Sequence, residues 1–449
     1  MKVVKFGGTS LATAEQIKKV CNIVLADSQR RALVVSAPGK RFKEDIKVTD
    51  LLINCAEAYV NKGDYETPLN EIANRFETMA NELGVKDFGG KQVREDIMSL
   101  LTADNYENDL QVIDAVKAAG EDNNAKLVAA YFNSIGVPAK YINPLEAGMY
   151  MSSDFGKATL LEESLDNLAK LKECKELIVF PGFFGYTKCG RRVTFSRGGS
   201  DISGSILAAA LGAQVYENFT DVDSVYAVDP RIIENPVAIP AFTYREMREL
   251  AYAGFTVLHE DTLSYVYRAG IPVNIKNTNN PSAPGTMILN SRESYKNIVS
   301  GIAGSSDFVA INMSKYLMNK EIGFGRKLLQ ILEENELSFE HMPSGIDNLT
   351  VILRKKPFTP EKENIVIRRI KKELNVDHLE VDRDISLIMV VGEGMRSNVG
   401  VAAKSTKALS DARINIKVLN QGSSEVSVIF GVHSRDEQEA VRALYHTFF

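Results

Sequence analysis

The sequence predicts an α/β protein: a mostly parallel sheet flanked by helices over the first two thirds, then two small units of βαββαβ type. Three observations predict this. Strand and helix patterns alternate up to about residue 290, as in a sheet covered on both faces. Glycine-rich turns and an acidic loop fall at the carboxyl ends of those strands, where such sheets bind ligands. A set of residues in the last third reappears 77 positions later, the mark of an internal repeat.

The 449 residues are too many for one ordinary core. The net charge is −5 and the lysines and arginines are scattered, which argues against a nucleic-acid partner. The sequence has no apolar run of 18 residues for a membrane span, and Met1 to Gly8 do not form a signal peptide. Cys21, Cys55, Cys174 and Cys189 are dispersed, so they read as free thiols of a reducing cytoplasm.

Lys2 to Phe6 reads as a strand, Gly7-Gly8-Thr9-Ser10 as a turn rich in donors, and Thr13 to Ala26 as a helix. Ile17, Val20, Cys21, Val24 and Leu25 share one helix face, and Thr13 with Gln16 has capping-box spacing. Strand, Gly-Gly turn and helix can cradle phosphate, although neither a Walker A loop nor a G-x-G-x-x-G fingerprint is present. Lys5, at the strand end, projects over the same place. Arg31 to Ser36 is an apolar run suited to a strand covered on both faces. Thr49 opens a helix after a polar loop, and Thr67 to Leu101 is amphipathic helix without visible chemistry. Asp109 to Phe132 reads as two helices broken at Gly120-Glu121-Asp122, which puts Glu121 at a helix start. Pro138–Ile142 and Glu176–Phe180 are further strands, with the polar turn Ser152–Lys157 between them.

Arg191–Phe195 is a strand or hairpin arm, followed by Ser196-Arg197-Gly198-Gly199-Ser200-Asp201 and a helix from Ile202 to Leu211 that stops at Gly212. Glycines at a helix N-terminus let backbone N–H groups approach an anion. Arg197 can fork onto a carboxylate or a phosphate. The plainer reading is a tight turn capped by Ser200 or Asp201.

Ala213–Asn218 is a strand, and Phe219 to Arg231 is an acidic loop. It is not a calcium loop: Tyr226 stands where that loop needs glycine and Ile232 where it needs glutamate. The loop suits nucleotide ribose and magnesium better. Tyr244–Tyr252 and Leu263–Arg268 are helical, and Ile271–Thr278 is the last strand expected in this unit. In the repeat, Gly323, Gly345, Val351 and Ile352 return as Gly400, Gly422, Val428 and Ile429, and Leu337-Ser338-Phe339 returns as Ile414-Asn415-Ile416. Tandem units without catalytic clusters suggest binding and regulation, or dimerisation.

Taken together, these residues resemble the aspartate kinases of the amino acid kinase superfamily. The resemblance rests on Lys5 to Ser10, Ser196 to Asp201, Thr220-Asp221-Val222 with Asp229-Pro230-Arg231, Val257-Leu258-His259, and a tail similar to paired ACT domains ending in Ile414–Lys417 and Gln421–Glu425. It implies a three-layer αβα, carbamate kinase-like domain over 1–295. Ferredoxin-like ACT domains follow over 304–374 and 375–449, the second taking a strand from 296–303. It implies transfer of the ATP γ-phosphoryl to the side-chain carboxylate of L-aspartate, at the start of lysine, threonine and methionine biosynthesis.

By the same resemblance Lys5 stabilises the transferring phosphoryl with Gly7 and Gly8, and Asp201 orients the lysine. Arg197 grips a carboxylate of aspartate and Glu121 its amino group, while Ser36, Thr49, Phe183, Gly198 and Ser200 line the pocket. Gly8, Ser10, Thr220, Asp221, Tyr226, Asp229 and Arg231 hold the nucleotide. Magnesium bridges its phosphates, and no side chain is assigned as a metal ligand. Thr256 replaces a lysine that contacts ATP in relatives, and Lys276 is the substitute. Met318, Glu321, Gly323, Phe324, Glu340, Ser344 and Asp347 are the effector residues, with lysine expected before threonine, and the ACT domains imply a homodimer. The competing readings are another amino acid kinase and an ACT-containing amino-acid sensor with weak or no catalysis.

Overall fold

The computed structural model describes residues 1–103, 106–196, 198–255, 262–292 and 297–449. The chain divides into two units. The first holds Met1–Val225, Ile239–Tyr244 and Thr256–Arg292; the second holds Tyr226–Ala238, Arg245–Phe255 and Glu293–Phe449. No helix among the described residues is long and apolar enough to cross a membrane.

The first unit begins with β1 (Lys2–Phe6), α1 (Ala14–Leu25), β2 (Arg30–Val35), α2 (Val48–Val60), α3 (Glu66–Leu83), α4 (Gly90–Leu101), α5 (Asp109–Ser134) and β3 (Ala139–Tyr141). It continues with α6 (Glu163–Ala169), β4 (Leu177–Pro181), the hairpin β5 (Phe184–Tyr186) and β6 (Arg192–Thr194), α7 (Gly199–Leu211), β7 (Val215–Thr220) and β8 (Ala241–Thr243). After α8 (Tyr244–Tyr252), which runs into the second unit, come α9 (Leu263–Arg268), β9 (Val273–Asn277) and β10 (Thr286–Leu289).

The main sheet has the order β3-β4-β2-β1-β7-β9-β10-β8. Strand β1 lies between β2 and β7, parallel to both. Val3, Val4 and Phe6 are fully buried, as a strand covered on both faces requires. The Phe6 ring stacks on Phe219 of β7 at 4.6 Å. Ile271–Thr278 is not the last strand: β10 follows and pairs antiparallel with β9, then parallel with β8.

Two local expectations change. Thr13 caps α1 by accepting the Gln16 N–H at 3.3 Å, but the reciprocal bond is not made and Leu25 is exposed. Helix α5 runs unbroken through Gly120-Glu121-Asp122. A Cβ at Gly120 would lie 2.8 Å from the Ala37 Cβ and 3.0 Å from Leu52 Cδ1. The glycine therefore permits close packing of α5 on α2 and does not end a helix. Glu121 sits in mid-helix, on a buried face.

In the second unit, β11 (Gly301–Ser305), β12 (Phe308–Ser314), α10 (Phe324–Glu333), β13 (Asn348–Arg354), α11 (Pro360–Arg369) and β14 (His378–Asp382) come first. Then follow β15 (Ser386–Val391), α12 (Val401–Asp411), β16 (Val418–Gln421), β17 (Ser427–Val432) and α13 (Glu437–Phe448). They form two sheets, β13-β12-β14 and β11-β15-β17-β16. The repeat is visible in the backbone. Gly323 and Gly400 both take left-handed conformations, with φ of +81° and +96°, at the starts of α10 and α12. Val351 and Ile352 lie on β13 as Val428 and Ile429 lie on β17. A strand from before the repeat does join the later sheet, as Gly301–Ser305 along β15. Strand β14, beyond the boundary expected at 374, pairs with β12 of the earlier sheet.

Candidate active site

The carboxyl ends of β1, β2, β4, β7 and β9 lie side by side in the first unit, and each feeds a loop with chemistry. At the end of β1, the Lys5 ammonium stands 2.5 Å from Asp201 Oδ1. The lysine side chain is 9% exposed. Asn218 of β7 donates to the same Asp201 oxygen at 2.7 Å, and Tyr216 donates to the Asp201 carbonyl at 3.2 Å. Asp201 lies in the first turn of α7, where the helix dipole favours a carboxylate. A cation is thus held by one oriented anion, beside a turn of backbone donors.

That turn is tight for a packing reason. A Cβ at Gly8 would meet Ala37 O at 3.0 Å and Gly39 Cα at 3.2 Å; one at Gly39 would come within 2.5 Å of the Gly8 carbonyl carbon. Gly39 N–H donates to Gly8 O at 2.8 Å. Gly7 N–H, expected to face phosphate, donates to Phe219 O at 3.2 Å instead. Ser10 is buried and shares a 2.7 Å hydrogen bond with Thr278, at the end of β9.

Helix α7 starts at Gly199 with Gly198 as its cap, at φ +69°, so neither Ser200 nor Asp201 is the N-cap. Gly182 lets Ser200 approach: a Cβ there would lie 2.7 Å from the Ser200 hydroxyl. Phe183 takes φ +75°, which costs energy outside glycine and clusters at functional sites. Its N–H donates to Ser203 Oγ at 3.0 Å, and the Lys117 ammonium lies 5.4 Å from its ring centre.

Glu121 is buried, and its pKa is pushed up to about 8 by desolvation; the Ala37 N–H and the Lys117 charge pull only partly against this. Ser36 and Thr49 are half-buried, at the end of β2 and the start of α2. Asn124, one turn beyond Glu121, donates to Ser36 O at 2.7 Å. Arg197 lies outside the described residues, as do Thr256 and Val257-Leu258-His259.

Of the expected nucleotide residues, Thr220 ends β7 and donates to the exposed Asp221 at 3.2 Å. Lys276 on β9 donates to Ala283 O at 3.0 Å, and burial lowers its pKa. Tyr226, Asp229 and Arg231 fall in the second unit. There Arg231 pairs with its own neighbour Asp229, Nη2 to Oδ2 at 2.5 Å, and the guanidinium lowers the Asp229 pKa.

The expected effector residues divide as well. Glu321 is not an open anion: Lys315 reaches it at 2.5 Å and Lys327 at 2.9 Å. Glu340 faces Arg354 at 3.6 Å. Asp347 Oδ1 is buried and has no donor among the described residues. The Lys315 N–H donates to the Asp347 carbonyl at 2.9 Å, so the two effector loops adjoin. Met318 and Phe324 are buried, Gly323 caps α10, and Ser344 is exposed.

Three partners escaped the sequence reading: Asn218, Lys117 and Asn124. Asn218 carried a signal, a polar residue inside an otherwise buried strand. Lys117, Glu121 and Asn124 lie at i, i+4 and i+7, one face of a helix, a pattern hidden when Gly120 is taken as a break.

The amino acid kinase family model matches residues 1–277, and an ACT domain model matches 388–448. Aspartokinase 3 of Bacillus subtilis is 54% identical over 449 residues, covering 100% of this chain and 99% of that protein. The crystal structure of Clostridium acetobutylicum aspartate kinase is 38% identical with a TM-score of 0.87, covering 100% of both chains. That of E. coli aspartokinase III in complex with aspartate and ADP is 25% identical with a TM-score of 0.81, again over 100% of both chains. With its cation–anion pair beside a glycine turn, its ACT tail and this likeness over the full length, the chain belongs to the amino acid kinase family and, within it, to the aspartokinases.

Proposed function

We propose that this aspartokinase transfers the γ-phosphoryl of ATP to the side-chain carboxylate of L-aspartate at the carboxyl ends of β1, β2, β4 and β7, with Lys5 meeting the transferring group. The observation that carries the reading is the pairing of the buried Lys5 with Asp201 beside the Gly7-Gly8 turn. The carboxylate oxygen attacks the γ-phosphorus, the bond to the β-phosphate oxygen breaks, and the products are 4-phospho-L-aspartate and ADP. The acceptor has a reference pKa of about 3.9, so it is ionised at neutral pH and needs no general base. Positioning and charge neutralisation remain as the enzyme's work.

Lys5 supplies the charge, and Asp201, fixed by Asn218, aims it. With Gly7 N–H occupied by Phe219, the turn's contact with phosphate falls to Gly8. Glu121 takes the substrate ammonium: a buried carboxylate gains most from a cation that arrives with the ligand. Arg197 takes a carboxylate of aspartate, and Ser36, Thr49, Phe183, Gly198 and Ser200 shape the pocket. Ser10, Thr220, Asp221 and Lys276 serve the nucleotide. Magnesium fits this donor set, because it binds mainly through phosphate oxygens and water with one or two carboxylates. Asp201 is the carboxylate at the Lys5 end to hold it, and the ion would neutralise phosphate charge.

Residues 304–382 would bind the end-product effector, lysine before threonine. The two lysines on Glu321 leave a net positive loop at the start of α10 that suits the effector carboxylate, and Asp347 suits its ammonium. A second copy of the chain would pair here: Tyr316, Leu317, Ile322 and Ile346 are exposed apolar residues on the adjoining loops. The test of the catalytic reading is Lys5→Met, with kcat measured beside the dissociation constant for aspartate. The reading requires a large loss in kcat with aspartate binding within a few-fold; near-normal kcat contradicts it.

A further inference from the structure

Helix α5 carries two buried acceptors that have no donor among the described residues: Glu121 Oε2 and Asn124 Oδ1. Their residues are 5% and 0% exposed. An acceptor left in this state keeps its full desolvation penalty, so each such group calls for a reason. Three residues apart, the two share a helix face, with Cβ atoms about 5–6 Å apart. They also flank one peptide unit. Asn124 Nδ2 donates to the Ser36 carbonyl at 2.7 Å, and the N–H of the same peptide, that of Ala37, acts on Glu121. The bond to a carbonyl assigns the amide, because only Nδ2 can donate; Oδ1 is the end left over.

What fits two acceptors at this spacing is a group with several donors. An ammonium has three N–H bonds, and at hydrogen-bond lengths of about 2.8–3.0 Å it spans acceptors roughly 5 Å apart. One carboxylate and one amide carry a single negative charge between them, which balances one ammonium; a second carboxylate there would leave an uncompensated charge. We infer that Asn124 is a specificity-determining residue for the acceptor substrate: its Oδ1 takes an N–H of the same ammonium whose charge Glu121 balances. The inference rests on the reading that Glu121 receives the amino group of aspartate. Lys117, one turn before Glu121, is committed to Asp114 at 2.9 Å.

The test compares L-aspartate with succinate, which has the same two carboxylates and no amino group. Calorimetry gives both dissociation constants for the wild type, Asn124→Ala, Asn124→Asp and Glu121→Gln. The expected result is that Asn124→Ala lowers the preference for aspartate over succinate about tenfold, as loss of a hydrogen bond to a charged group does. Asn124→Asp, which keeps an acceptor, preserves or enlarges the preference. If Asn124→Ala weakens both ligands in parallel, Asn124 only holds the Ser36–Ala37 peptide and the inference is overturned. If Glu121→Gln changes the preference and Asn124→Ala does not, the inference fails alone. If Glu121→Gln also leaves the preference intact, the reading of Glu121 fails and takes the inference with it. Should Asn124→Ala not fold, a reduced preference in Asn124→Asp overturns the inference by itself.

Discussion

Glu321 lies between two cations, 2.5 Å from the Lys315 ammonium and 2.9 Å from that of Lys327. Their hydrogen bonds hold its pKa below the ordinary carboxylate value. An effector ammonium arriving at Glu321 would have to displace one of them, so the loop is better suited to the carboxylate end of an amino acid. If lysine is the effector, Lys327→Met raises the half-inhibitory lysine concentration about tenfold, as loss of one charged contact does. Feedback titration checks it. A lower concentration would mean that the released Glu321 takes the ammonium.

Glu121 gives the enzyme a pH dependence with a definite sign. Its pKa in the folded chain, about 8, lies above the ordinary 4.5. Between those values the folded state keeps a proton that the unfolded chain has released, so stability is full below the lower value and falls as pH rises toward the upper one. Binding an ammonium requires the ionised form, so aspartate affinity should strengthen more than about tenfold from pH 6 to 8. Glu121→Gln should abolish that slope, weaken aspartate binding and melt higher than the wild type at pH 8 without substrate. A slope that persists in the variant contradicts the assignment.

Gly120 couples packing to the same carboxylate. A Cβ there meets Ala37 and Leu52 at 3.0 Å or less. Gly120→Ala should destabilise the protein by about 1–3 kcal/mol through overpacking and raise the apparent KM for aspartate, because α5 moves away from the Ser36–Ala37 peptide. Denaturant unfolding and initial rates measure the two effects. No change in either would show that α5 and α2 relax freely.

Lys276 is half-buried on β9 and bonded to a backbone carbonyl. If it replaces the nucleotide contact absent at Thr256, Lys276→Ala raises the apparent KM for ATP several-fold and leaves that for aspartate nearly constant. An unchanged KM for ATP removes Lys276 from the site.

Much of this was legible in the residues. Continuous apolar runs announce strands covered on both faces, and β2 and β4 follow them. Gly323 and Gly400 announce two left-handed helix starts 77 residues apart. Other features were hidden for physical reasons. A glycine that ends a helix and one that lets two helices touch are the same letter, so Gly120 was readable only after α2 was placed against it. Lys5 and Asp201 each suggest phosphate chemistry, but their 2.5 Å contact exists only once α7 packs beside β1. The ion pairs that occupy Glu321 and Asp229 depend on side-chain geometry that charge spacing alone does not contain.

The most direct measurement is hydroxylamine trapping of the acyl phosphate with ATP, magnesium and L-aspartate, run on the wild type, Lys5→Met and Asp201→Asn. The account predicts aspartyl hydroxamate from the wild type and a loss of about a hundredfold or more in both variants, as for removal of a group that stabilises transition-state charge. Hydroxamate formed at wild-type rates by Lys5→Met would contradict it.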